Sequence, residues 1–122
     1  MDAPFRSSYK NLHAYQKAFE LALLVYRITK KFPHDEMFGL ISQMRRSVSS
    51  VAANIAEGCG RKTMKDRLHF FYIARGSLNE FECHADLSFA MEYLTQADMI
   101  TIRTAREDSG KTLAGLIRSS SV

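Results

Sequence analysis

Apolar residues recur every three or four positions in four stretches of the chain. This spacing places them on one face of a helix, so it predicts four helices, over about residues 10–31, 35–57, 63–93 and 95–119. The recurring apolar positions are, in chain order, Leu12, Tyr15, Phe19, Ala22 and Tyr26; Met37, Ile41, Met44, Val48, Val51 and Ile55; Leu68, Phe71, Ala74, Leu78, Phe81, Ala85 and Phe89; and Ile102, Ala105, Leu113 and Leu116.

Residues that start or stop helices lie at the predicted boundaries. Pro33 disfavours the helical conformation at the residue before it and so ends the first helix. Gly58 suits a left-handed cap after the second helix. Thr63 and Thr95, each followed three positions later by an aspartate, resemble capping boxes at the next two starts. Short connectors make consecutive helices antiparallel neighbours. The predicted fold is all-α: a single domain over residues 1–122, built as an antiparallel up-down-up-down four-helix bundle.

The first helix carries a second apolar stripe, about 100° around its axis from the first. A bundle of this size has one core, and monomers seldom expose a further apolar face. The alternative is a wide core stripe that touches two neighbouring helices of the same chain. We expect the second stripe to form an oligomer interface, through Ala18, Leu21, Val25, Ile28 and Phe32.

The composition is ordinary for a globular domain, with 122 residues, 46% apolar and 25% charged. It excludes a disordered tail, a collagen-like chain and a disulfide scaffold. No apolar run reaches the length of a membrane span, and the first ten residues lack the apolar segment of a signal peptide. The two cysteines, Cys59 and Cys83, fit a reducing compartment. We therefore expect a cytoplasmic protein that does not contact a membrane.

The net charge of +4 is concentrated around the second connector. Between Gln43 and Arg67 six basic residues face two acidic ones, a surplus of four. A basic end on a small bundle favours phosphate binding, and the alternative is an ordinary solvated surface with local ion pairs. The nearby aromatic residues at 70–72 lie at helical spacing and are assigned to the core. The predicted nucleic-acid-binding residues are Arg45, Arg46, Arg61, Lys62, Lys65 and Arg67.

An acidic stretch lies further along the third helix. Residues 80–92 contain four acidic side chains and no lysine or arginine. Acidic residues near a helix C-terminus oppose the helix dipole, so they indicate a binding partner. Together with the second apolar stripe, this stretch supports a rival hypothesis, a protein-interaction scaffold without direct nucleic-acid binding.

The residues that catalysis or metal binding would need are missing from the pattern. Glu80 and His84 form one pair on a helix, but no second helix supplies the matching pair of a di-iron bundle. Cys59 and Cys83 have no second thiol nearby to complete a zinc site. We expect no enzyme activity, no metal site and no cofactor.

Several short motifs follow one another, at the spacing of a known family, between Leu12 and Leu94. They are Leu12-His-Ala-Tyr-Gln-Lys-Ala18; Phe32-Pro33, Glu36, Gly39-Leu40, Gln43, Arg45-Arg46 and Ser50; Ala53-Asn-Ile-Ala-Glu-Gly58 and Gly60-Arg61; and Phe71-Tyr-Ile-Ala74, Gly76-Ser-Leu78 and Glu80. In these motifs the chain resembles the bacterial four-helix bundle proteins encoded in intervening sequences of 23S rRNA genes. It departs from the family at Tyr15, where Trp is usual, and at Ala52, where Pro is usual.

The resemblance implies a homopentamer of four-helix bundles without catalytic activity. The chain is also similar to the accessory variability proteins of diversity-generating retroelements, pentameric barrels that associate with a reverse transcriptase and nucleic acid. The partners implied are other copies of the chain, RNA or DNA, and a reverse transcriptase or a ribosomal component. The family has no agreed set of functional residues, so the site predicted above depends on charge placement alone.

Overall fold

Four α-helices form the computed structural model of the chain, which describes residues 9–121. They are α1 (His13–Thr29), α2 (Leu40–Cys59), α3 (Met64–Ala90) and α4 (Gln96–Ser120). Two single 3-10 turns, Tyr9–Asn11 and His34–Glu36, precede α1 and α2. The described part of the chain contains no β-strand, so the prediction of an all-α protein is confirmed.

The helix ends differ from the predicted ones mainly around the first connector. α1 and α2 begin later than residues 10 and 35 because a 3-10 turn occupies each predicted start. Glu36 explains the late start of α2, since its Oε1 accepts a hydrogen bond from the backbone N–H of Leu40 at 3.1 Å. α1 ends at Thr29, and the N–H of Phe32 then bonds to the Thr29 carbonyl in a tighter turn.

The predicted left-handed cap at Gly58 is wrong. Gly58 lies inside α2, which continues to Cys59, and no glycine in residues 9–121 has a positive φ. Close packing accounts for this glycine instead. A Cβ at position 58 would lie 2.6 Å from Cε1 of Phe71 and 3.1 Å from the carbonyl oxygen of Arg67. Gly58 therefore lets α2 and α3 approach one another.

Both predicted threonine caps are present. Oγ1 of Thr63 accepts a hydrogen bond from the N–H of Asp66 at 3.1 Å. Oγ1 of Thr95 accepts one from the N–H of Asp98 at 3.0 Å, and the Asp98 carboxylate bonds back to the Thr95 N–H, which completes a capping box. These bonds satisfy N–H groups that a helix start would otherwise leave unpaired.

Each helix packs against two neighbours around a shared core. α1 contacts α2 and α4, and α3 contacts the same two helices. Along the α2–α3 pair, Ser88 Oγ donates to Met44 Sδ at 3.3 Å, Ser50 and Ser77 hydroxyls lie 2.8 Å apart, and Gly58 lies against Phe71. The largest fully buried side chains come from all four helices: Leu21, Val25, Met44, Val48, Val51, Ile55, Phe71, Leu78, Phe81, Met99, Ile102 and Leu113.

The core face of α1 is the second apolar stripe, not the first. The five residues predicted to contact another subunit are buried within this chain: Ala18, Leu21, Val25, Ile28 and Phe32. The structure thus corrects their placement in an oligomer interface, because they already pack against helices of the same chain. The first stripe is only partly outward: Leu12, Tyr15 and Ala22 are half-buried against the core, whereas Phe19 and Tyr26 are 47% and 41% exposed.

Candidate nucleic-acid interface

The connector between α2 and α3 brings four of the six predicted basic residues together. Its backbone is fixed at both ends, since the N–H of Gly60 bonds to the Glu57 carbonyl and Thr63 caps α3. Because so few residues separate the helices, four of the predicted basic residues lie at the same end of the α2–α3 pair. We call this set the basic cluster: Arg61, Lys62, Lys65 and Arg67.

The two arginines of the basic cluster are held by neighbouring groups. Arg61 Nη2 lies 2.7 Å from Oε2 of Glu57, and the Arg61 guanidinium lies 4.5 Å from the ring centroid of Phe70. Arg67 Nε donates to the carbonyl oxygen of Arg61 at 2.8 Å. These contacts orient both guanidinium groups, and within the described range 9–121 a carboxylate pairs with Arg61 but not with Arg67.

The two lysines of the basic cluster face solvent. Lys62 and Lys65 are exposed and have no hydrogen-bond or ion-pair partner among residues 9–121. Asp66, the acidic residue beside them, lies in the first turn of α3, where its N–H is bonded to Thr63. The cluster thus presents two uncompensated ammonium groups beside two oriented guanidinium groups.

Arg45 and Arg46 lie elsewhere, which corrects their placement with the other four. Both are near the start of α2, about 20 Å along its axis from the connector. Arg45 turns towards α1, where its Nε donates to Oγ1 of Thr29 at 3.0 Å. Arg46 turns towards α3, where its Nη2 donates to Oε2 of Glu80. Each arginine therefore joins two helices of the bundle.

The acidic stretch of α3 is partly neutralised within the chain. Hydrogen bonds from His84 and Arg46, opposed by partial burial, hold the pKa of the Glu80 carboxyl below its ordinary value. Glu82 Oε1 lies 2.9 Å from Arg106 Nη2 of α4. Lys31, just after the end of α1, pairs with Asp98 of α4 at 2.9 Å and not with this stretch.

The aromatic residues beside the cluster are not all core residues. Phe71 is buried, as expected from its position on the apolar stripe of α3. Phe70 is half-buried beneath Arg61, and Tyr72 is 45% exposed with the Arg75 guanidinium 4.8 Å from its ring centroid. The three side chains differ in exposure because consecutive residues of a helix are rotated by about 100° around its axis.

The part of the chain that the structure describes has no candidate metal site, disulfide or membrane-spanning helix. Residues 9–121 contain no group of three His, Cys, Asp or Glu side chains placed to hold a metal ion. Both cysteines are free, and burial raises the pKa of the Cys59 thiol while Arg67 opposes the shift. Across the same residues, no helix has both the length and the apolar character required of a membrane-spanning segment.

The comparisons with known proteins give one matching family model and one similar solved structure. The family model described as 23S rRNA-intervening sequence protein matches residues 10–115. A crystal structure of a protein with unknown function, from the S23 ribosomal protein family of Bacteroides thetaiotaomicron VPI-5482, has a similar fold. Its TM-score is 0.76 at 25% sequence identity, over 85% of this chain and 97% of that chain. No curated protein shows significant sequence similarity to the chain. Since the family model spans nearly all of the described residues, the chain belongs to the 23S rRNA-intervening sequence protein family.

Proposed function

We propose that this chain is a non-enzymatic, homo-oligomeric protein that binds RNA or DNA through the basic cluster. The observation that carries the proposal is the exposure of Lys62 and Lys65 without any acidic partner in the described residues. Exposed ammonium groups attract phosphates and release counterions when phosphates bind, which is a main source of nucleic-acid affinity. The name of the family, 23S rRNA-intervening sequence protein, refers to rRNA and agrees with a nucleic-acid partner.

The proposal includes an antiparallel up-down-up-down bundle. Three contact pairs support it, because later positions in one helix meet earlier positions in the next. Ser88 reaches Met44 and Phe71 reaches Gly58 between α2 and α3, and Tyr26 and Ser49 hydroxyls lie 3.3 Å apart between α1 and α2. In such a bundle the α2–α3 connector lies at the same end as the start of α1.

The proposal also includes self-association of the chain as a pentamer. An exposed apolar face of α1 supports the self-association. Phe19, Leu23 and Tyr26 share this face and are each more than 40% exposed; we call them the α1 strip. A contiguous apolar strip of this kind marks an interaction surface more often than a free one. An oligomer would repeat the basic cluster, so that several weak phosphate contacts act together.

The test of nucleic-acid binding is a salt titration with a matched charge control. The full chain should bind a mixture of structured RNA and duplex DNA at low salt, with affinity that falls steeply as salt rises. The variant Lys62→Glu/Lys65→Glu should lose most of this affinity and much of the salt slope. The control Arg27→Glu/Lys30→Glu makes the same change in net charge on exposed residues at the end of α1 and should bind nearly as the parent does. Equal affinity of both variants and the parent would contradict the proposal.

A second candidate function is docking of a protein partner, such as a reverse transcriptase or a ribosomal component. Phe38 favours it, because this side chain in the first connector is 92% exposed. Met37 beside it and Met91 in the third connector are also about half exposed. Capture of one defined protein that Phe38→Ser abolishes, with no nucleic acid retained by the wild-type chain, would favour docking over nucleic-acid binding.

A further inference from the structure

The outward face of the first half of α3 carries an exposed polar and aromatic row. Lys65, His69 and Tyr72 lie four and three positions apart, so they share one side of the helix, and all three are exposed. Lys65 and Tyr72 are separated by about 10 Å along the axis. Gly76 continues the row, and a Cβ at that position would meet nothing within 4 Å. The row therefore leads from the basic cluster to an accessible aromatic ring with open space beyond it.

Tyr72 is presented to solvent rather than used for packing. Its side chain is 45% exposed, and its neighbour Phe71 supplies the core contact at this level of the helix. The Arg75 guanidinium lies 4.8 Å from the Tyr72 ring centroid, which holds a planar cation against the ring. Aromatic rings and stacked guanidinium groups are the surfaces on which unpaired bases stack in single-strand-binding proteins.

The charge around this row suits a phosphate backbone. From Arg67 to Asn79 the chain contains two arginines and no acidic residue. The next acid, Glu80, is bonded to Arg46 and His84. Arg75 also lines a groove of about 360 Å³ between α3 and α4, whose other charged lining residues are Arg106, Glu107 and Lys111 of α4. A strand that follows the row would therefore meet a surplus of positive charge.

We infer that the first half of α3 binds single-stranded nucleic acid, with phosphates at Lys62 and Lys65 and an unpaired base stacked on Tyr72. This inference rests on the proposed function and specifies its ligand. A duplex could reach the lysines, but its bases are stacked on one another and present no face to Tyr72. The row therefore selects unpaired strands, whereas the basic cluster alone would not.

The experiment compares one strand of about 15 nucleotides, as RNA and as DNA, with the same strand annealed to its complement. Binding of the labelled strands to the full chain is followed by fluorescence anisotropy. Tyr72→Ala removes the ring, and Tyr72→Phe keeps it. Phe89→Ala is the matched control, because Phe89 is an exposed aromatic residue of the same helix but lies about 25 Å further along its axis than Tyr72, remote from the basic cluster. Lys62→Gln/Lys65→Gln reports the phosphate contacts.

We expect tighter binding of the single strands than of the duplex. Tyr72→Ala should weaken single-strand binding about 10-fold or more and leave duplex binding unchanged. Tyr72→Phe and Phe89→Ala should stay within about twofold of the wild-type chain, and the lysine variant should lower the salt slope by about two. Binding of either the RNA strand or the DNA strand supports the inference, and the ratio of the two affinities identifies which nucleic acid is preferred.

Two results would overturn the inference while leaving the proposed function in place. One is equal affinity for strand and duplex. The other is a Tyr72→Ala variant that binds single strands as well as the wild-type chain while the lysine variant is weakened. If the wild-type chain binds neither strand nor duplex at low salt, the proposed function itself fails.

Discussion

Arg45 of α2 lies over the ring of Tyr26 of α1, with its guanidinium carbon 4.8 Å from the ring centroid. The same guanidinium donates hydrogen bonds to Oγ1 of Thr29 at 3.0 Å and to the Tyr26 carbonyl at 3.3 Å. One half-buried side chain therefore joins two helices by stacking and by two hydrogen bonds. Its role differs from that of Lys62, which has the same charge but neither a ring contact nor a hydrogen bond to any of residues 9–121.

Replacing Arg45 should affect stability and not nucleic-acid binding. Arg45→Ala should lower the free energy of unfolding by about 1–2 kcal/mol, because the stacking and hydrogen bonds to α1 are lost. Lys62→Ala should leave unfolding within about 0.5 kcal/mol of the parent and lower the salt slope of binding by about one. Urea unfolding and anisotropy titrations measure the two effects. Reversed behaviour of this pair would show that Arg45 belongs to the interface.

Two glycines inside helices should respond oppositely to alanine. At Gly76 a Cβ meets open space, so Gly76→Ala should raise the free energy of unfolding by about 0.5–1 kcal/mol through helix propensity. At Gly58 it would lie 2.6 Å from a ring atom of Phe71, so Gly58→Ala should destabilise the fold by about 1–3 kcal/mol. The unfolding midpoints of the two variants should therefore move in opposite directions, and a shared direction would contradict the packing assigned to Gly58.

The buried hydroxyl of Ser109 predicts a stabilising substitution. Ser109 is fully buried in α4, and its Oγ has no hydrogen-bond partner among residues 9–121. Ser109→Ala should raise the free energy of unfolding by about 1 kcal/mol, because an unpaired buried polar group is removed. Ser47→Ala is the control: Ser47 is equally buried, but its Oγ donates to the Gln43 carbonyl at 2.8 Å. Chemical denaturation of both should show a gain for the first variant and none for the second.

The Lys31–Asp98 pair predicts a pH-dependent contribution to stability. The hydrogen bond from Lys31 is the main cause that lowers the pKa of the Asp98 carboxyl, with partial burial opposing it and Thr95 assisting. A lowered folded-state pKa stabilises the fold only while the carboxylate is ionised. The contribution is therefore present above the ordinary value of 3.8 and is lost as pH falls through the lowered value.

Lys31→Gln should accordingly cost about 0.5 kcal/mol at neutral pH, a small figure because Lys31 is 59% exposed. The difference from the parent should shrink as the pH falls below the ordinary carboxyl pKa of 3.8. Lys30→Gln changes an exposed neighbour with no ion pair among residues 9–121 and should show no such pH dependence. Unfolding midpoints measured across this pH range decide between the two patterns.

The α1 strip predicts where self-association can be broken. Phe19→Asp places a charge in the middle of the strip and should shift the chain towards monomer. Ile100→Asp places the same charge on a residue of α4 that is 58% exposed and should leave the oligomer intact. Light scattering after size exclusion should give five times the 13.9 kDa chain mass for the parent and for Ile100→Asp. A parent that is monomeric at micromolar concentration would contradict the proposed assembly.

The helices could be predicted from the sequence because their signals are local. Apolar spacing and the two threonine caps require only neighbours along the chain, and both caps are where the pattern indicates. The choice between the two stripes of α1 could not be predicted in this way. Both stripes have helical period, and Leu21 rather than Phe19 is buried because of where α2 and α4 pack, which is tertiary information.

The candidate site was predictable in part for a similar reason. Lys62 and Lys65 lie in and beside a connector, so proximity in sequence gives proximity in space. Arg45 and Arg46 are adjacent in sequence but about 100° apart on α2, and they reach different helices. Only the packing of the bundle decides which basic side chains remain available to a phosphate.

α3 and α4 are less closely packed against each other than α2 and α3 are. Solvent-open grooves of about 140 Å³ and 360 Å³ run along this pair, whereas α2 and α3 meet so closely at Gly58 that a methyl group does not fit. Where packing is looser, fluctuations that separate two helices require less free energy. We therefore expect the α2–α3 hairpin to be more rigid than α4. Amide protons along α4 should exchange with solvent faster than those in the middle of α2.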